Sequence, residues 1–456
     1  MSLVHNMTED QIILNIINYL KDGKRKAFQD IIQELQPYDT GIIYQQLPEK
    51  HKVRFLTYLT IEQLTALIQE LNQELQLEVL KKIGVDKSAK VMDRMDNDDL
   101  AALFNEMDPE IKGAFLSKMN KEESTAVQDL MKYEPETAGR LMTNRYVWIP
   151  QEYTVREVVD KLKSYAELAE TINYLYVIDE EKRLVGVVSY RDLILADAYE
   201  KIMDIMFSRV ISVHVDTDQE EVAHVIERYD FLAVPVVDDN RMLIGIITVD
   251  DVIDVVIQEA NEDIEKLSAS GKDIDFDTPA LVASARRLPW LILLLFIGLI
   301  SGSIISGFEE TLDKAVALAF FMPMIAGMTG NTGTQSLAVV VRGLISREID
   351  KKIVTRVILR EFGVGVTIGI TCAILITIIA YVWRGDLVLG LVVGSSLFIT
   401  LIIGTLAGTV IPLILYKLNI DPAIASGPLI TTVNDILSLL IYFGIATAFL
   451  SYITST

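Results

Sequence analysis

The chain has 456 residues, with 41 basic and 63 acidic side chains and a formal net charge of −22. Residues 281–456 contain eleven of the basic and nine of the acidic side chains, so the excess negative charge lies in residues 1–280. Such acidity excludes nucleic acid as a partner, because phosphates require a basic surface, and it favours cations. The single cysteine, Cys372, excludes an internal disulfide and a cysteine-based zinc site.

Residues 1–133 are predicted to form an all-α, helical-repeat domain. Leu64, Leu67, Ile68 and Leu71 follow the i, i+3, i+4, i+7 spacing of one helix face, and the same spacing recurs from Leu100. Successive short amphipathic helices of this kind indicate a superhelix. The segment contains no constellation of nucleophile, base and metal ligands, so no enzymatic function is predicted.

Residues 134–254 contain a duplicated unit. The segment LYVIDEEKRLVGVVSYRDLILAD recurs 59 residues later as VPVVDDNRMLIGIITVDDVIDVV. Each copy predicts strand, turn, strand and helix, because short β-branched runs are bounded by acidic turns. A hydroxyl followed three residues later by an aspartate, as in Ser189 and Asp192, can contact a ribose. The duplication resembles a pair of CBS domains, α/β modules that dimerise and often bind adenine nucleotides in the cleft between repeats.

Residues 255–284 are predicted to contain an acidic connecting helix and a linker, the helix beginning near Asp250. Glu259, Glu262 and Asp263 fall on one helix face by their spacing of three and four, with Asp254 and Asp251 further back. Like charges at this spacing repel each other, which opposes a compact arrangement until cations neutralise them. The alternative is an ordinary solvated acidic face.

Residues 285–456 are predicted to form an α-helical transmembrane domain of five helices. Crossing a bilayer takes about 20 mostly apolar residues, since each adds about 1.5 Å across a core of about 30 Å. Five uncharged or nearly uncharged segments meet that length: Leu288–Phe308, Ala315–Val341, Phe362–Trp383, Leu387–Tyr416, and the segment from Pro422 to the C-terminus.

The second span contains a polar segment, MPMIAGMTGNTGTQS, from Met322 to Ser336. Its content of Gly, Thr and Pro predicts an interruption of the helix, and non-helical backbone at membrane depth is tolerated where it lines protein or a water-filled cavity. Asn331 and its polar neighbours would supply neutral oxygens to a pathway. The alternative is a kink at Pro323 with ordinary helix packing.

Asp435 is the one charged side chain between Pro422 and the C-terminus. A carboxylate at membrane depth is costly unless it faces protein or water, which predicts a functional site. Gly427 and Pro428 are expected to break the start of this span, and Thr431 lies one turn before Asp435 on the same face. A single acid with a neutral oxygen suits Mg²⁺, which retains its water, better than Ca²⁺. The alternative is an acid hydrogen-bonded within the helix bundle.

Basic residues near the spans predict the orientation, because Lys and Arg are retained on the cytoplasmic side. Arg286 and Arg287 precede the first span, six basic residues occupy the connection from Arg342 to Arg360, and Lys417 lies in the fourth connection. The chain has no apolar signal region at its start. We therefore expect a multi-pass protein of the cell membrane, with its N-terminal half in the cytoplasm and its C-terminus outside.

The order of a helical domain, a CBS pair, an acidic helix and five spans, with GNxGxQS in the second and Asp in the fifth, resembles the MgtE-type magnesium channels over essentially the whole chain. The resemblance implies a homodimer with its pore between the two membrane domains. It further implies that the pore conducts Mg²⁺ down its gradient and closes when cytoplasmic Mg²⁺ is high. The lipid membrane and Mg²⁺ ions are thus the expected partners.

The resemblance also implies three sets of site residues. The pore set comprises Asp435, Thr431, Gly327, Gly330 and Asn331. The regulatory Mg²⁺ set comprises Asp98, Asp218, Glu220, Asp230, Asp250, Asp251, Asp254, Glu259, Glu262 and Asp263. A cleft for an adenine nucleotide such as ATP would comprise Tyr174, Arg191, Asp192, Phe231, Pro235 and Asp250. Two positions depart from the family pattern, Ala102 in the N-domain and Gly427 before the last span.

Other functions fit parts of the sequence. A proton-coupled carrier, or a carrier of Mn²⁺ and Co²⁺ as well as Mg²⁺, could also use Asp435. A membrane-tethered nucleotide sensor would leave Asp435 and the GNTGTQS segment without a role. An anion channel of the chloride type is disfavoured, because the five spans contain no Lys or Arg.

Overall fold

The computed structural model describes residues 7–166, 169, 171–270, 274, 278–345, 350–418 and 420–453. The described residues form two compact units, with the boundary between Ile257 and Gln258. The predicted multidomain fold class is confirmed, since a helical N-domain and a CBS pair precede a C-terminal helical region with long apolar helices.

Within the described residues, the first unit begins with ten short helices joined by tight turns. Their bounds are α1 (Glu9–Asp22), α2 (Arg25–Ile32), α3 (Pro37–Gln46), α4 (Glu49–Tyr58), α5 (Ile61–Gln69), α6 (Gln73–Ile83), α7 (Val85–Met92), α8 (Asn97–Asn105), α9 (Pro109–Leu116) and α10 (Lys121–Leu130). Caps define several starts: the Thr60 hydroxyl and the Gln63 side chain bond reciprocally to the backbone at the head of α5. Leu64, Leu67 and Ile68 are fully buried, as their spacing predicts.

The CBS pair follows in the same unit. Its elements are α11 (Ala138–Leu141), β1 (Trp148–Pro150), α12 (Val155–Ala166), β2 (Tyr174–Ile178), β3 (Leu184–Ser189), α13 (Tyr190–Leu195), α14 (Ile202–Ile205), β4 (Val213–His214), α15 (Gln219–Tyr229), β5 (Ala233–Val237) and β6 (Leu243–Thr248). The sheets have the orders β1-β2-β3 and β4-β5-β6, each with one parallel and one antiparallel pairing. Gly186 and Gly245 occupy equivalent registers, opposite Val177 and Val236.

The connecting helix α16 (Val249–Ser268) is continuous, as predicted. The second unit then contains α17 (Ala280–Gly307), α18 (Glu309–Lys314), α19 (Leu318–Ile345), α20 (Lys351–Arg384), α21 (Leu387–Lys417), a 3₁₀ turn (Pro422–Ile424), α22 (Gly427–Ala448) and α23 (Leu450–Ile453). Among the described residues, α17, α20, α21 and α22 are long and apolar enough to cross a membrane. The long helix α19 is absent from that set because its GNTGTQS segment is polar.

The predicted interruption of the second span was wrong, because α19 runs unbroken through Met322–Ser336. The polar side chains are accommodated within the helix: the hydroxyls of Thr329, Thr332 and Thr334 each donate to the carbonyl four residues earlier. The predicted break at Gly427 and Pro428 is instead the beginning of α22, where a proline in the first turn costs no hydrogen bond.

Candidate cation sites

The polar helix α19 packs closely against α22. A Cβ atom at Gly333 would lie 2.0 Å from the Asn434 amide nitrogen, and one at Gly330 would lie 2.8 Å from a methyl carbon of Thr431. Glycine is therefore required for this approach of the two helices. The hydroxyls of Thr334 and Thr431 are 3.4 Å apart across the same contact. The contact brings the predicted residues Gly330 and Thr431 together.

The exposed face of α19 carries a line of residues four apart: Pro323, Gly327, Asn331 and Gln335. Gly327 has open space where its side chain would be, whereas Gly330 is buried and its carbonyl accepts a hydrogen bond from the Thr334 hydroxyl. We refer to Gly327, Asn331 and Gln335 as the polar stripe. A polar stripe on a helix within an apolar domain requires water or protein against it.

Asp435 follows on α22, one turn after Thr431 and half-buried. Asn434, its neighbour, is fully buried and points between α19 and α21, with its amide 3.4 Å from the Thr329 carbonyl. Within the described residues, the carboxylate of Asp435 makes no hydrogen bond or ion pair. An acid without a protein partner in an apolar helix is suited to bind a cation or water.

The end of the connecting helix meets the segment before α22, all within the second unit. The Lys266 ammonium lies 2.6 Å from an Asp421 oxygen and 2.9 Å from a Glu262 oxygen. Burial raises the pKa of Asp263, and the charge of Asp421 raises it further, whereas Lys266 lowers it. Leu267 packs on an apolar cluster that includes Val341 and Ile430. Sequence reasoning missed Lys266 and Asp421, because residues 155 apart show no local signal of contact.

A second acidic group lies within the first unit, between α8 and the start of α16. Asp99 is exposed, yet its pKa is raised by the protein packed around it and by the charges of Asp96, Asp254 and Asp250, while a hydrogen bond from Gln69 opposes the rise. Gln69 donates at 2.6 Å to Asp96 and at 3.2 Å to Asp99. The predicted N-domain acid, Asp98, is a buried residue of α8 and stays a prediction. Asp99 and Asp96 are thus acids that the sequence analysis passed over.

Asp251 is the strongly perturbed acid of this group. Burial raises its pKa to about 7, the hydrogen bond from the Thr248 hydroxyl opposes the shift, and the charges of Asp250 and Asp99 raise it again. Asp192, the equivalent acid of the first repeat, likewise accepts from the Ser189 hydroxyl, at 2.6 Å. In each repeat, therefore, the hydroxyl and the aspartate are hydrogen-bonded to each other at the head of a helix.

The remaining predicted regulatory acids are dispersed. Asp218 caps the start of α15, where it accepts a hydrogen bond from the Glu220 amide, and Asp230 follows the end of the same helix in the left-handed conformation. The helix is about 16 Å long, so Asp218 and Asp230 of one chain cannot hold one ion together. Among the described residues, no three His, Cys, Asp or Glu side chains converge as a complete metal site.

The predicted nucleotide residues divide into two groups. Tyr174, Phe231 and Pro235 line a cavity of about 90 Å³ between the two repeats, together with Tyr176, Phe207 and Arg209, which the sequence analysis did not select. Arg191, Asp192 and Asp250 do not line this cavity; the last two lie at the heads of α13 and α16. An aromatic and proline lining suits a planar ring, and Arg209 adds a positive charge to the lining.

The free energy of unfolding should depend on pH because of the acidic group around Asp251. A raised folded-state pKa means that the folded form retains the proton from about pH 4 to about pH 7, so without divalent cations stability should fall as pH rises through this window. Thermal unfolding of the full-length protein in detergent with chelator should show the fall, and Mg²⁺ should suppress it. Asp251→Asn should flatten the dependence; an unchanged dependence in this variant would contradict the assignment.

Two CBS repeats with clustered acids, followed by helices long and apolar enough to cross a membrane and by a half-buried carboxylate, are the architecture of a membrane transport protein for cations. Residues 322–445 match the MgtE family, described as divalent cation transporters, residues 35–136 match the MgtE intracellular N domain, and residues 138–199 and 202–258 match the CBS domain. The chain belongs to the MgtE family.

Full-length relatives have similar sequences. The magnesium transporter MgtE of Bacillus subtilis is 64% identical over 448 residues, which cover 98% of this chain and 99% of that protein. The magnesium transporters MgtE of Enterococcus faecalis and Thermus thermophilus are 44% and 37% identical, covering 97% and 96% of this chain and 98% of each relative.

Two solved structures resemble the N-terminal part. The soluble part of a magnesium transporter aligns with a TM-score of 0.53 and 39% identity, covering 56% of this chain and 100% of that one. The cytosolic domain of the Mg²⁺ channel MgtE in complex with ATP aligns with a TM-score of 0.52 and 36% identity, covering 53% and 99%.

Proposed function

We propose that this chain is a Mg²⁺-selective channel or transporter for magnesium uptake, gated by cytoplasmic Mg²⁺. The observation that carries the proposal is the similarity along nearly the whole chain to proteins named magnesium transporters. The carboxylate of Asp435 is half-buried and has no hydrogen-bond or ion-pair partner among the described residues, which suits a ligand for the ion.

Asp435 is the proposed pore ligand, with Thr431 one turn away on α22 and the polar stripe of α19 as a further contributor. Mg²⁺ dehydrates reluctantly and is commonly held through one or two carboxylates with several retained waters. Neutral oxygens from Asn331 and the backbone near Gly327 would accept hydrogen bonds from those waters. Gly330 contributes to this site through its contact with Thr431, which sets the distance between α19 and α22.

A homodimer is proposed, with the pore between the two membrane domains. Two observations support a second copy: α17 has no buried residue in the single chain, and the polar stripe of α19 is exposed. Apolar side chains can face lipid, but the polar stripe requires water or protein. A second Asp435 facing the first would add a second carboxylate to the path.

Gating is proposed to depend on the acids of α16 and their neighbours. At low Mg²⁺, repulsion among Glu259, Glu262 and Asp263 on one side, and among Asp251, Asp254 and Asp99 on the other, opposes the compact form. At high Mg²⁺, bound ions favour it. A ligand shifts such an equilibrium only by its difference in affinity for the two states, and a hundredfold shift requires about 2.7 kcal/mol. Asp98, Asp218, Glu220, Asp230 and Asp250 remain proposed contributors.

The protein is proposed to be a multi-pass component of the cell membrane, with α19 as the fifth long helix of the membrane domain. The N-terminal part would lie in the cytoplasm and the C-terminus outside. ATP is proposed to bind between the CBS repeats, with its base against Tyr174, Phe231 and Pro235; a similar cytosolic domain has been crystallised with ATP. The nucleotide would adjust gating rather than undergo a reaction.

The decisive experiment measures ion flux into liposomes that contain the purified full-length protein. A panel of Mg²⁺, Mn²⁺ and Co²⁺, each with and without ATP and at several pH values, separates the candidate functions. Flux that saturates with Mg²⁺ and is insensitive to a pH gradient supports a magnesium channel. Flux that follows the pH gradient would indicate a proton-coupled carrier, and comparable flux of all three ions would indicate a broad divalent-cation carrier.

Lys266→Gln should weaken closure at high Mg²⁺. The substitution removes the ion pair with Asp421 and leaves Asp421 facing Asp263, so the end of α16 should separate from the segment before α22. We expect flux at high cytoplasmic Mg²⁺ to rise severalfold while flux at low Mg²⁺ stays unchanged. Lys314→Gln is the matched control, because Lys314 pairs with Glu310 on an exposed turn of α18. Unaltered closure in Lys266→Gln would refute this role.

A further inference from the structure

Glu361 is a buried carboxylate in α20 that neither the sequence analysis nor the proposed pathway includes. It is 5% exposed, although it lies immediately before the uncharged run that begins at Phe362. One of its oxygens accepts a hydrogen bond from the Ser336 hydroxyl at 2.9 Å. The other accepts two from the Arg360 guanidinium, at 2.8 and 3.1 Å.

These three hydrogen bonds account for the burial of the charge. An isolated buried carboxylate is costly, whereas one that is paired and hydrogen-bonded is tolerated. The Arg360 side chain is itself 55% exposed, so it pairs with the buried Glu361 carboxylate without being buried. The pair that Glu361 forms with the Arg360 guanidinium is charge-assisted, and charge-assisted hydrogen bonds are about twice as strong as neutral ones.

Ser336 connects this carboxylate to the polar stripe. It follows Gln335, the last residue of the stripe, and successive residues of a helix are separated by about 100° around its axis. Ser336 is 4% exposed, whereas Gln335 is exposed. The hydroxyls of Thr329 and Thr332 donate within α19, so they do not hold the helix against a neighbour. The Ser336 hydroxyl instead donates to a charged group on a different helix.

We propose that Glu361 is a positioning residue, which sets the rotation of α19 about its axis through the hydroxyl of Ser336 and so directs Asn331 and Gln335 toward the ion path. The inference rests on the proposed function, because it assumes that the polar stripe lines that path. Glu361 acts through Ser336 and does not contact the ion.

The test compares Ser336→Ala with Ser336→Thr and with the control Ser396→Ala. Ser396 is also fully buried, but its hydroxyl donates within its own helix, to the Val392 carbonyl at 2.7 Å. In liposomes, Ser336→Ala should lower maximal Mg²⁺ flux about tenfold, the effect of losing a hydrogen bond to a charged group. The Mg²⁺ concentration for half-maximal flux should stay unchanged, since Asp435 is intact. Ser336→Thr should restore most of the flux, and Ser396→Ala should retain it.

A second readout reports the rotation itself and does not require flux. In a Cys372→Ala background, the thiol of Gln335→Cys should react with a membrane-impermeant maleimide, and Ser336→Ala should slow that reaction severalfold while Ser396→Ala does not. Equal flux and equal thiol reactivity in the two alanine variants would overturn the inference. Absence of Mg²⁺ flux in the unmodified protein would overturn the proposed function instead, and the thiol measurement would still test the rotation.

Discussion

Asp435→Asn should abolish Mg²⁺ flux in liposomes and leave the fold intact. Asparagine has the same shape but no charge, and a unit charge about 4 Å from another contributes roughly 4 kcal/mol at an effective dielectric constant of about 20. Loss of that attraction predicts a decrease in flux of more than about a hundredfold. Uptake of a radioactive magnesium isotope, or the signal of a Mg²⁺-sensitive fluorescent indicator inside the liposomes, measures the flux directly.

Asp386→Asn is the matched control for the loss of charge. Asp386 precedes α21 and accepts hydrogen bonds from the amides of Val388 and Leu389, and asparagine caps a helix equally well. The control should transport Mg²⁺ normally. Normal flux through Asp435→Asn, with the same amount of folded protein in the membrane, would eliminate Asp435 as the pore ligand.

Gly333→Ala should destabilise the membrane domain and reduce flux strongly. The added Cβ would lie 2.0 Å from the Asn434 amide nitrogen and 3.1 Å from an Ile430 methyl carbon, so α19 and α22 would have to separate. Overpacking of this kind costs about 1–3 kcal/mol. The same displacement moves the polar stripe relative to Thr431 and Asp435. Thermal unfolding in detergent and flux in liposomes should therefore both decrease.

Gly343→Ala, on the same helix, is the matched control for Gly333→Ala. A Cβ at Gly343 would have nothing within 4 Å, and alanine is favoured over glycine in a helix by about 1 kcal/mol. This variant should be at least as stable as the parent protein. If Gly333→Ala unfolds at the same temperature as Gly343→Ala, the close contact between α19 and α22 does not exist in solution.

Much of the architecture was predictable from the sequence because it depends on local periodicity and on repetition. The spacing of Leu64, Leu67 and Ile68 indicated a buried helix face, and the repeated Gly–hydroxyl–Asp segments indicated the CBS pair. Length and apolar composition indicated the membrane helices. The break within α19 was mispredicted because threonine hydroxyls can return their hydrogen bonds to the same helix, which composition does not reveal.

The acidic groups were predicted as regions, and the choice between neighbouring acids stays a prediction. Asp98 and Asp99 are adjacent in α8, yet one is buried within the helix face and the other lies near Asp250 and Asp254. Successive helical residues are about 100° apart, so packing decides which of two neighbouring acids faces another element. Two consecutive aspartates at the start of a helix do not indicate, from sequence alone, which of them will face the neighbouring element.

The sequence by itself determined that one carboxylate lies within an apolar segment, that an acidic part precedes the apolar helices, and that this part contains two copies of one module. These conclusions follow from composition and spacing, which need no three-dimensional information. Only the tertiary structure decided which distant residues meet: Gly333 with Asn434, Lys266 with Asp421, and Ser336 with Glu361. Such pairs depend on how helices pack, and no local pattern records the neighbour that a side chain will have.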